Sequence, residues 1–504
     1  MEVPSQMIDT IDSPAEQLSM RRLFPAASFV GCADIGVSRT TDRSSECEPG
    51  TLFAALPGVR TDGRHHVGEA IERGASALLV ARPIASCSRP QCVVADVRRA
   101  YAKLCATLWG DPATRLRIAG VTGTNGKTTV TWLIRAILRH SGRRVGLLGT
   151  VEYHDGTNSQ PAPLTTPGSQ EFVRWLHAMT RNKATHAAVE LSSHALHQSR
   201  TAGSPLDAAV VTNVTQDHFD YHVSAESYLD AKAQVLGCCK PGALVCLNAD
   251  DPGSSSLRSR MRAGTRLTTF GADADYSGRI LRESVHGTQF QITAAGRTSH
   301  VSTQLIGRHN VSNCLAAAAV CCEFGLSLDE VAAGIESLAG VPGRLERIEV
   351  DHRFDVFVDY AHTDDALSRS IAHLQSVTRG RVICVFGAGG DRDTTKRPLM
   401  ARAAATADVV IVTSDNPRTE DPEAIIEQIL AGLPDTGAAP HTFVDRRLAI
   451  EHALGEARNG DCVLVAGKGH ETYQILGTQA VPFDDREVVR ELSGSLTRRE
   501  KTPA

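Results

Sequence analysis

Residues 115–151 read RLRIAGVTGTNGKTTVTWLIRAILRHSGRRVGLLGTV. The apolar positions Val130, Leu133, Ile134, Ile137 and Leu138 fall at i, i+3, i+4, i+7 and i+8, which is one face of a helix. Gly142 stands just past the expected helix end, and RVGLLGTV returns as a strand. The segment therefore reads strand, glycine loop, helix, strand. The loop GVTGTNGKTT, residues 120–129, has the chemistry of a phosphate cradle. Its glycines let backbone N–H groups approach phosphate oxygens, and the helix N-terminus that follows favours negative charge. Lys127 supplies a point charge and the Thr128 hydroxyl can hold Mg2+. The strict G-x-x-x-x-G-K-T spacing would need glycine where Val121 stands; Gly120, Gly123 and Gly126 are present instead. Beside the bland reading, a glycine-rich turn between strand and helix, this predicts an ATP or GTP site of a variant type, built from Gly123, Thr124, Asn125, Gly126, Lys127, Thr128 and Thr129.

Working outward, 504 residues at roughly 100–200 per domain suggest about three domains. The 53 basic and 57 acidic residues leave a formal net charge of −4, so nothing suggests a general nucleic-acid or membrane surface. The 13 cysteines are scattered without a CxxC, which reads as small buried hydrophobes rather than a zinc or redox site. MEVPSQMIDTIDSPAEQ has no apolar signal core and no apolar run approaches a membrane span, so a cytoplasmic location is expected; a monomer acting on small molecules is expected as well. WGDPATRLR and GVPGR mark breaks, giving an N-terminal domain 1–113, a central domain 114–340 and a C-terminal domain 341–504.

The last of these alternates cleanly. FDVFVDYAH, RVICVFGAGGDRD, DVVIVTSDNPR and DCVLVAGKGHE read as strands; DDALSRSIAHLQSV, KRPLMARAAATA and PEAIIEQILAGL read as helices. Such alternation argues for a parallel, doubly wound sheet. In open parallel sheets ligands bind outside the carboxyl ends of the strands. DYAH, GAGGDRD, SDNPR and GKGHE each follow a strand, so the topology gathers them on one rim. The expected fold class is α/β, with a central P-loop ATPase-like sheet and a C-terminal Rossmann-like domain.

GVTGTNGKTT resembles the nucleotide loop of the Mur ligase family, ATP-dependent enzymes that join amino acids to a peptidoglycan precursor. The resemblance continues through LTTPG (164–168), AAVELSSHALHQSR (187–200), TNVTQDHFDYH (212–222), YLDAKAQVL (228–236), NADDP (248–252) and LIGRHNVSN (305–313). It extends through VPGRLE (341–346), VDYAHT (358–363), GAGGDRDTTKRPLM (387–400), DNPRTEDP (415–422) and AGKGHETYQ (466–474), covering about residues 50–490. Within the family its pattern resembles that of enzymes adding meso-diaminopimelate to UDP-MurNAc-L-Ala-D-Glu. The resemblance implies amide bond formation: the D-glutamate carboxylate attacks the γ-phosphate of ATP, and the acyl phosphate is then attacked by the incoming amine.

It also implies roles. Lys127, Lys232, Glu190 and His218 match catalytic positions, with Thr128, Glu190, His218 and a carbamylated Lys232 as Mg2+ ligands. A carbamate turns an ammonium into an anionic oxygen ligand and needs a neutral amine; without the resemblance Lys232 reads as a lysine on a helix surface. Asn310, Arg344 and Asp359 match further ATP contacts, with His309, Asn313 and His362 beside them. Ser44, Thr165, Thr166, Ser192, Gln198 and Arg200 match UDP-substrate positions. Arg392, Asp415, Asn416, Pro417, Arg418, Gly467 and Glu471 match the amino-acid pocket, with a buried Arg418 gripping the distal carboxylate. The family's Asp-Ser-Arg before the PG.LF stretch is replaced here by Arg43-Ser44-Ser45. Rival readings are a D-Ala-D-Ala-adding ligase, a folylpolyglutamate synthase, a simple P-loop NTPase and a non-catalytic scaffold. DNPR and GGDRD argue against the first two, and the four strand-end motifs against the third.

Overall fold

The computed structural model describes residues 17–58, 61–215, 224–434 and 440–501. They form two compact units, one holding Met1–Ser277, Thr293–Arg297 and Ser312–Gly334, the other Gly278–Ile292, Thr298–Val311 and Ile335–Ala504.

The first unit contains two main sheets besides a two-stranded one that pairs Leu18–Ser19 with Gly36–Val37. A smaller one runs in the order Ser28–Val30, Gln91–Val93, Ala77–Val80, Thr51–Ala54, Arg39–Thr41. All of its pairs are parallel except the outermost one, between Ser28–Val30 and Gln91–Val93. The larger sheet is centred on the strand Arg117–Thr122, which lies parallel between His186–Glu190 and Leu206–Val211. Val145–Leu148 continues it on one side, Cys239–Asn248 and Arg266–Gly271 on the other, all parallel. These strands are buried on both faces, which is why they read as continuous apolar runs rather than alternating ones. One apolar core joins the two sheets: Leu104, Cys105 and Trp109 pack in the same cluster as Ile118, Val189 and Val211.

The second unit carries a six-stranded sheet in the order Glu346–Ile348, Asp355–Asp359, Cys462–Ala466, Val382–Phe386, Val409–Thr413, His441–Phe443. Only the first pair is antiparallel. Helices cover both faces, so the sheet has a core on each side: Leu367, Ile371 and Met400 on one, Ile450, Ala453 and Val489 on the other. This is the doubly wound, Rossmann-like α/β arrangement expected. The helices Asp364–Val377, Lys396–Ala404 and Pro422–Leu430 occupy the expected segments. The strand His441–Phe443, the helix Arg446–Glu456 and the hairpin Tyr473–Leu476 with Gln479–Pro482 are additional to those read from the sequence. No helix among the described residues is long and apolar enough to cross a membrane.

Candidate active site

The strand Arg117–Thr122 stops at Gly123 and the helix Lys127–His140 starts after Gly126. Both glycines have left-handed backbones, φ +150° and +85°. A Cβ on Gly123 would overlap Thr212 Oγ1, and one on Gly126 would lie 2.5 Å from Asn313 Oδ1. Glycine is therefore required at both places by conformation and by space. Neighbouring strand ends hold the loop open. Asn125 N donates to Asn213 Oδ1 at 2.9 Å, Thr124 N donates to the Asn213 carbonyl at 2.9 Å, and Thr124 Oγ1 accepts Thr215 N at 3.0 Å. Lys127 Nζ arches back to the Gly123 and Thr124 carbonyls at 2.8 and 2.9 Å, so its charge lies over the cradle. The helix face predicted from spacing is the buried one, with Val130, Leu133, Ile134, Ile137 and Leu138 inaccessible to solvent.

Glu190, the last residue of its strand, is fully buried beside this loop. Its Oε2 accepts Thr128 Oγ1 at 3.0 Å and Thr150 Oγ1 at 2.9 Å; its Oε1 accepts Thr150 N at 2.8 Å. A side chain at Gly149 would collide with that carboxylate. The backbone of Glu190 faces a second group of residues. Its carbonyl accepts Thr166 Oγ1 at 2.7 Å, which in turn accepts Ser192 N at 3.0 Å. Arg200 donates to the Thr166 carbonyl at 2.7 Å and grips Gln198 Oε1 at 2.9 and 3.1 Å. Thr165 joins through Thr150 at 3.2 Å. Thr165, Thr166, Ser192, Gln198 and Arg200, all expected at the UDP-substrate, are thus gathered around Glu190. Ser44 is not among them: in the smaller sheet's region it donates to Glu69 at 2.7 Å.

Lys232 corrects one expectation. A lysine near the end of the helix Ala225–Ala233 reads as a surface residue, but it is 1% exposed, with Nζ 4.4 Å from the centre of the Tyr228 ring. The Tyr228 hydroxyl lies 3.2 Å from Thr124 Oγ1, so Lys232 is tied by one aromatic ring to the phosphate loop. His218 lies outside the described residues.

In the second unit, Asp359 ends its strand buried. Burial pushes its carboxyl above the usual range, while Ser370 Oγ at 2.7 Å and Leu345 N at 3.0 Å hold it in place. The Arg344 guanidinium lies 4.8 Å from the Tyr360 ring centre, and His362 turns back onto the Tyr360 carbonyl at 2.8 Å. Asn310, at the start of the helix Arg308–Glu323, donates to the Ile306 carbonyl at 2.7 Å; Asn313 of that helix belongs to the first unit.

The four strand-end motifs do share a rim, because the strands they follow are mutually parallel. Asn416 Nδ2 donates to Glu471 Oε2 at 2.9 Å, and Lys468 Nζ bridges Asn416 Oδ1 and Glu471 Oε2 at 3.2 and 2.9 Å. Asp415 comes so close to Gly467 that a Cβ there would be 2.6 Å from its carboxylate oxygen. After Pro417, Arg418 adopts φ +53°, a conformation that costs a non-glycine residue of order 1 kcal/mol or more. Two backbone bonds hold it there, to Ile475 O at 3.1 Å and from Gly477 N at 2.8 Å. Its NH1 donates to Gly390 O at 2.6 Å, and Arg392 flanks the same glycine turn, its Cγ 3.6 Å from where a Gly389 Cβ would lie. Arg418 is half-buried, not buried as expected, and Arg392 is exposed.

Three family descriptions match the chain: the Mur ligase family catalytic domain over residues 40–107, the Mur ligase middle domain over 121–321, and the Mur ligase glutamate ligase domain over 343–469. The chain belongs to the Mur ligase family. Among curated Mur ligases it is 44% identical to the UDP-N-acetylmuramoyl-L-alanyl-D-glutamate--2,6-diaminopimelate ligase of Gloeobacter violaceus, covering 91% of this chain and 94% of that one. It is 42% identical to the enzyme of the same name from Geobacillus kaustophilus, covering 88% and 91%. A solved structure titled as that ligase superposes with a TM-score of 0.70 at 32% identity, covering 95% of this chain and 99% of the other. A MurF ligase of Thermotoga maritima in complex with ADP has the same fold, with a TM-score of 0.59 at 20% identity and coverage of 92% and 98%.

Several residues of this candidate site are not singled out by the sequence. Thr150 and Asn213 shape the loop through side chains that only the sheet topology brings near. Lys468 is fully buried at the centre of the strand-end cluster. The signal for it was its place between the two glycines of AGKGHE, after a strand that reads as buried.

Proposed function

We propose that this chain is an ATP-dependent ligase that joins meso-2,6-diaminopimelate to the D-glutamate carboxylate of UDP-N-acetylmuramoyl-L-alanyl-D-glutamate in peptidoglycan synthesis. The observation that carries the reading is the double engagement of Glu190. Its carboxylate is bonded to Thr128 of the phosphate loop, and its backbone carbonyl to Thr166 of the group assigned to the UDP-substrate. A γ-phosphate in the loop and a substrate carboxylate beside Thr166 and Arg200 are then neighbours. The names of the relatives supply the two substrates.

The reaction is a phosphoryl transfer followed by an acyl transfer. A carboxylate oxygen attacks the γ-phosphorus and ADP leaves; the amine then attacks the acyl carbon, phosphate leaves and the amine loses a proton. The loop amides and Lys127 hold the phosphates and neutralise charge that spreads onto their oxygens. Arg200 fixes the segment that presents the acceptor. Thr128 and Glu190 offer hard oxygen donors that would hold Mg2+, and Lys232 would add a third oxygen ligand as a carbamate. Bound there, Mg2+ supplies positive charge to the phosphate oxygens. Burial supports the carbamate, since only the neutral amine adds CO2. Asn310, Arg344 and Asp359 are assigned to the nucleotide, and Asp415, Asn416, Arg418, Arg392 and Glu471 to the incoming amino acid. The same reading places domain limits at 1–113, 114–340 and 341–504, and describes a cytoplasmic monomer.

The test is a panel of amino acids incubated with ATP and UDP-MurNAc-L-Ala-D-Glu, read by product mass and phosphate release. Expected is a ligated product with meso-diaminopimelate and phosphate release that requires both co-substrates. Equal ligation of L-lysine, or release without an amino acid, would overturn the assignment.

A further inference from the structure

The edge strand of the second unit, His441–Phe443, and the helix Arg446–Glu456 bring together three side chains that the ligase reaction does not use: His441, His452 and Glu456. His452 and Glu456 are four residues apart and so share one face of the helix. His441 opens the strand, so the cluster lies at the amino end of the sheet, whereas Asp415 and Arg418 lie beyond the carboxyl ends. Nε2 of His441 and Nε2 of His452 stand 3.6 and 3.5 Å from the same oxygen, Glu456 Oε2. The ring centres of the two histidines are 4.3 Å apart, and the ligand atoms all lie within 4.8 Å of one another.

We propose that His441, His452 and Glu456 form a site for a borderline divalent transition metal, with zinc as its best-fitting ion. The separations carry the argument. Ligands about 2.0–2.1 Å from a tetrahedral zinc are about 3.3–3.5 Å apart, close to both nitrogen–oxygen distances here. His452 Nε2 is buried and has no hydrogen-bond partner among the described residues, although it points at the carboxylate. The carboxylate is already oriented. Arg381 NH1 donates to Glu456 Oε1 at 3.2 Å, and the same guanidinium is gripped by Asp461 at 2.8 Å, which leaves Oε2 turned to the histidines. Ligand orientation of this kind usually comes from an outer partner. Phe443, whose ring centre is 5.1 Å from that of His452, holds the imidazole plane. Two imidazoles and one carboxylate exclude Mg2+ and Ca2+, which take oxygen ligands, and suit zinc, nickel or copper. The half-exposed His441 leaves the fourth position to water. Bound metal would clamp the edge strand to its helix.

The test uses the untagged full chain, stripped with a chelator and titrated calorimetrically with zinc chloride, then with magnesium chloride. One equivalent of zinc should bind and raise the thermal midpoint by a few degrees, as expected for a ligand of the native state. His441→Ala, at an exposed position, should weaken that equivalent at least tenfold with unchanged circular dichroism, and His452→Gln should do the same. Magnesium should not compete for it. Failure of the wild-type chain to bind zinc, or an affinity unchanged in His441→Ala, would overturn the site, the second result assigning the metal to other residues such as the cysteines. Neither result bears on ligase activity, because no residue of the cluster belongs to that machinery.

Discussion

At the scale of single residues, charge placed at the end of a short lever matters most. Lys127 is held by two carbonyls at the mouth of the phosphate loop, so it makes no apolar contribution whose loss would unfold the helix behind it. Lys127→Ala should abolish ATP-dependent ligation, measured as phosphate release, while far-ultraviolet circular dichroism stays that of the wild type. Near-normal turnover would remove the lysine from the transfer step. Arg418 is held differently. One of its nitrogens, NH1, is spent on the Gly390 carbonyl, and the side chain as a whole is half-buried. A planar guanidinium there can hold a distal carboxylate through two parallel bonds, which meso-diaminopimelate has and lysine lacks. Arg418→Ala should cost about 1.5–3 kcal/mol of transition-state stabilisation, roughly tenfold to a hundredfold in kcat/KM, with diaminopimelate. The difference between diaminopimelate and lysine should narrow; a variant keeping full discrimination would place the reader elsewhere.

At the scale of elements, the order of strands and helices was legible wherever pattern and position agree. The glycine loop, its helix face and the strand-end motifs follow from local spacing, and the structure has them where spacing puts them. What was not legible depends on partners far along the chain. Arg446 shows this. On a strip reading HTFVDRRLAIEHALGEA it looks like one more charge at a helix start, yet it is 1% exposed. Its guanidinium makes a two-pronged pair with Asp485 at 2.8 Å on each arm, 39 residues away. Its other bonds reach the Ser414 and Ala466 carbonyls at 3.3 and 2.9 Å, the positions where the strands carrying SDNPR and GKGHE end. Burial alone would disfavour the charged form; the Asp485 carboxylate overrides it and keeps the guanidinium protonated. Breaking such a pair leaves a charge buried without its partner. Arg446→Ala should therefore lower stability by about 3–5 kcal/mol in denaturant titrations. Loss of under 1 kcal/mol would show that Asp485 finds water or another donor. Without the resemblance Lys232 reads as a surface lysine for the same reason: nothing in a short stretch of helix announces that it will be buried against the Tyr228 ring.

At the scale of the whole molecule, the cysteines record how the chain divides inside from outside. Scattered and without CxxC pairs, they read as small apolar residues, and all thirteen are free thiols in the structure. Cys47, Cys92, Cys105, Cys246, Cys314, Cys321, Cys384 and Cys462 are buried, while Cys32, Cys87, Cys238, Cys239 and Cys322 are partly exposed. Burial also acts on the chemistry, since a thiolate is the reactive form and low dielectric disfavours it. The Cys92 thiol is pushed up to about 11 and that of Cys384 to about 12, both by burial first. At neutral pH these groups are almost entirely protonated in the folded chain, so access and ionisation protect them together. Cys239 separates the two effects. It is partly exposed, yet burial raises its thiol to about 12, and its Sγ donates to the Val235 carbonyl at 3.6 Å. A disulfide reagent added to the native chain at neutral pH should therefore count no more than the five partly exposed thiols, with Cys239 slow among them. All thirteen should react once denaturant is added. The sign of the pH dependence follows from the raised values. Between the ordinary thiol value and the folded one, the unfolded chain loses protons that the folded chain keeps, so the buried thiols favour the unfolded state increasingly as pH rises. Urea midpoints should fall between pH 9 and pH 11, and less steeply once Cys92 and Cys384 are replaced by alanine, with each variant compared to its own midpoint at pH 7.5. Rapid modification of the eight buried thiols in the native chain at neutral pH would show instead that the sheets open far more readily than their packing implies.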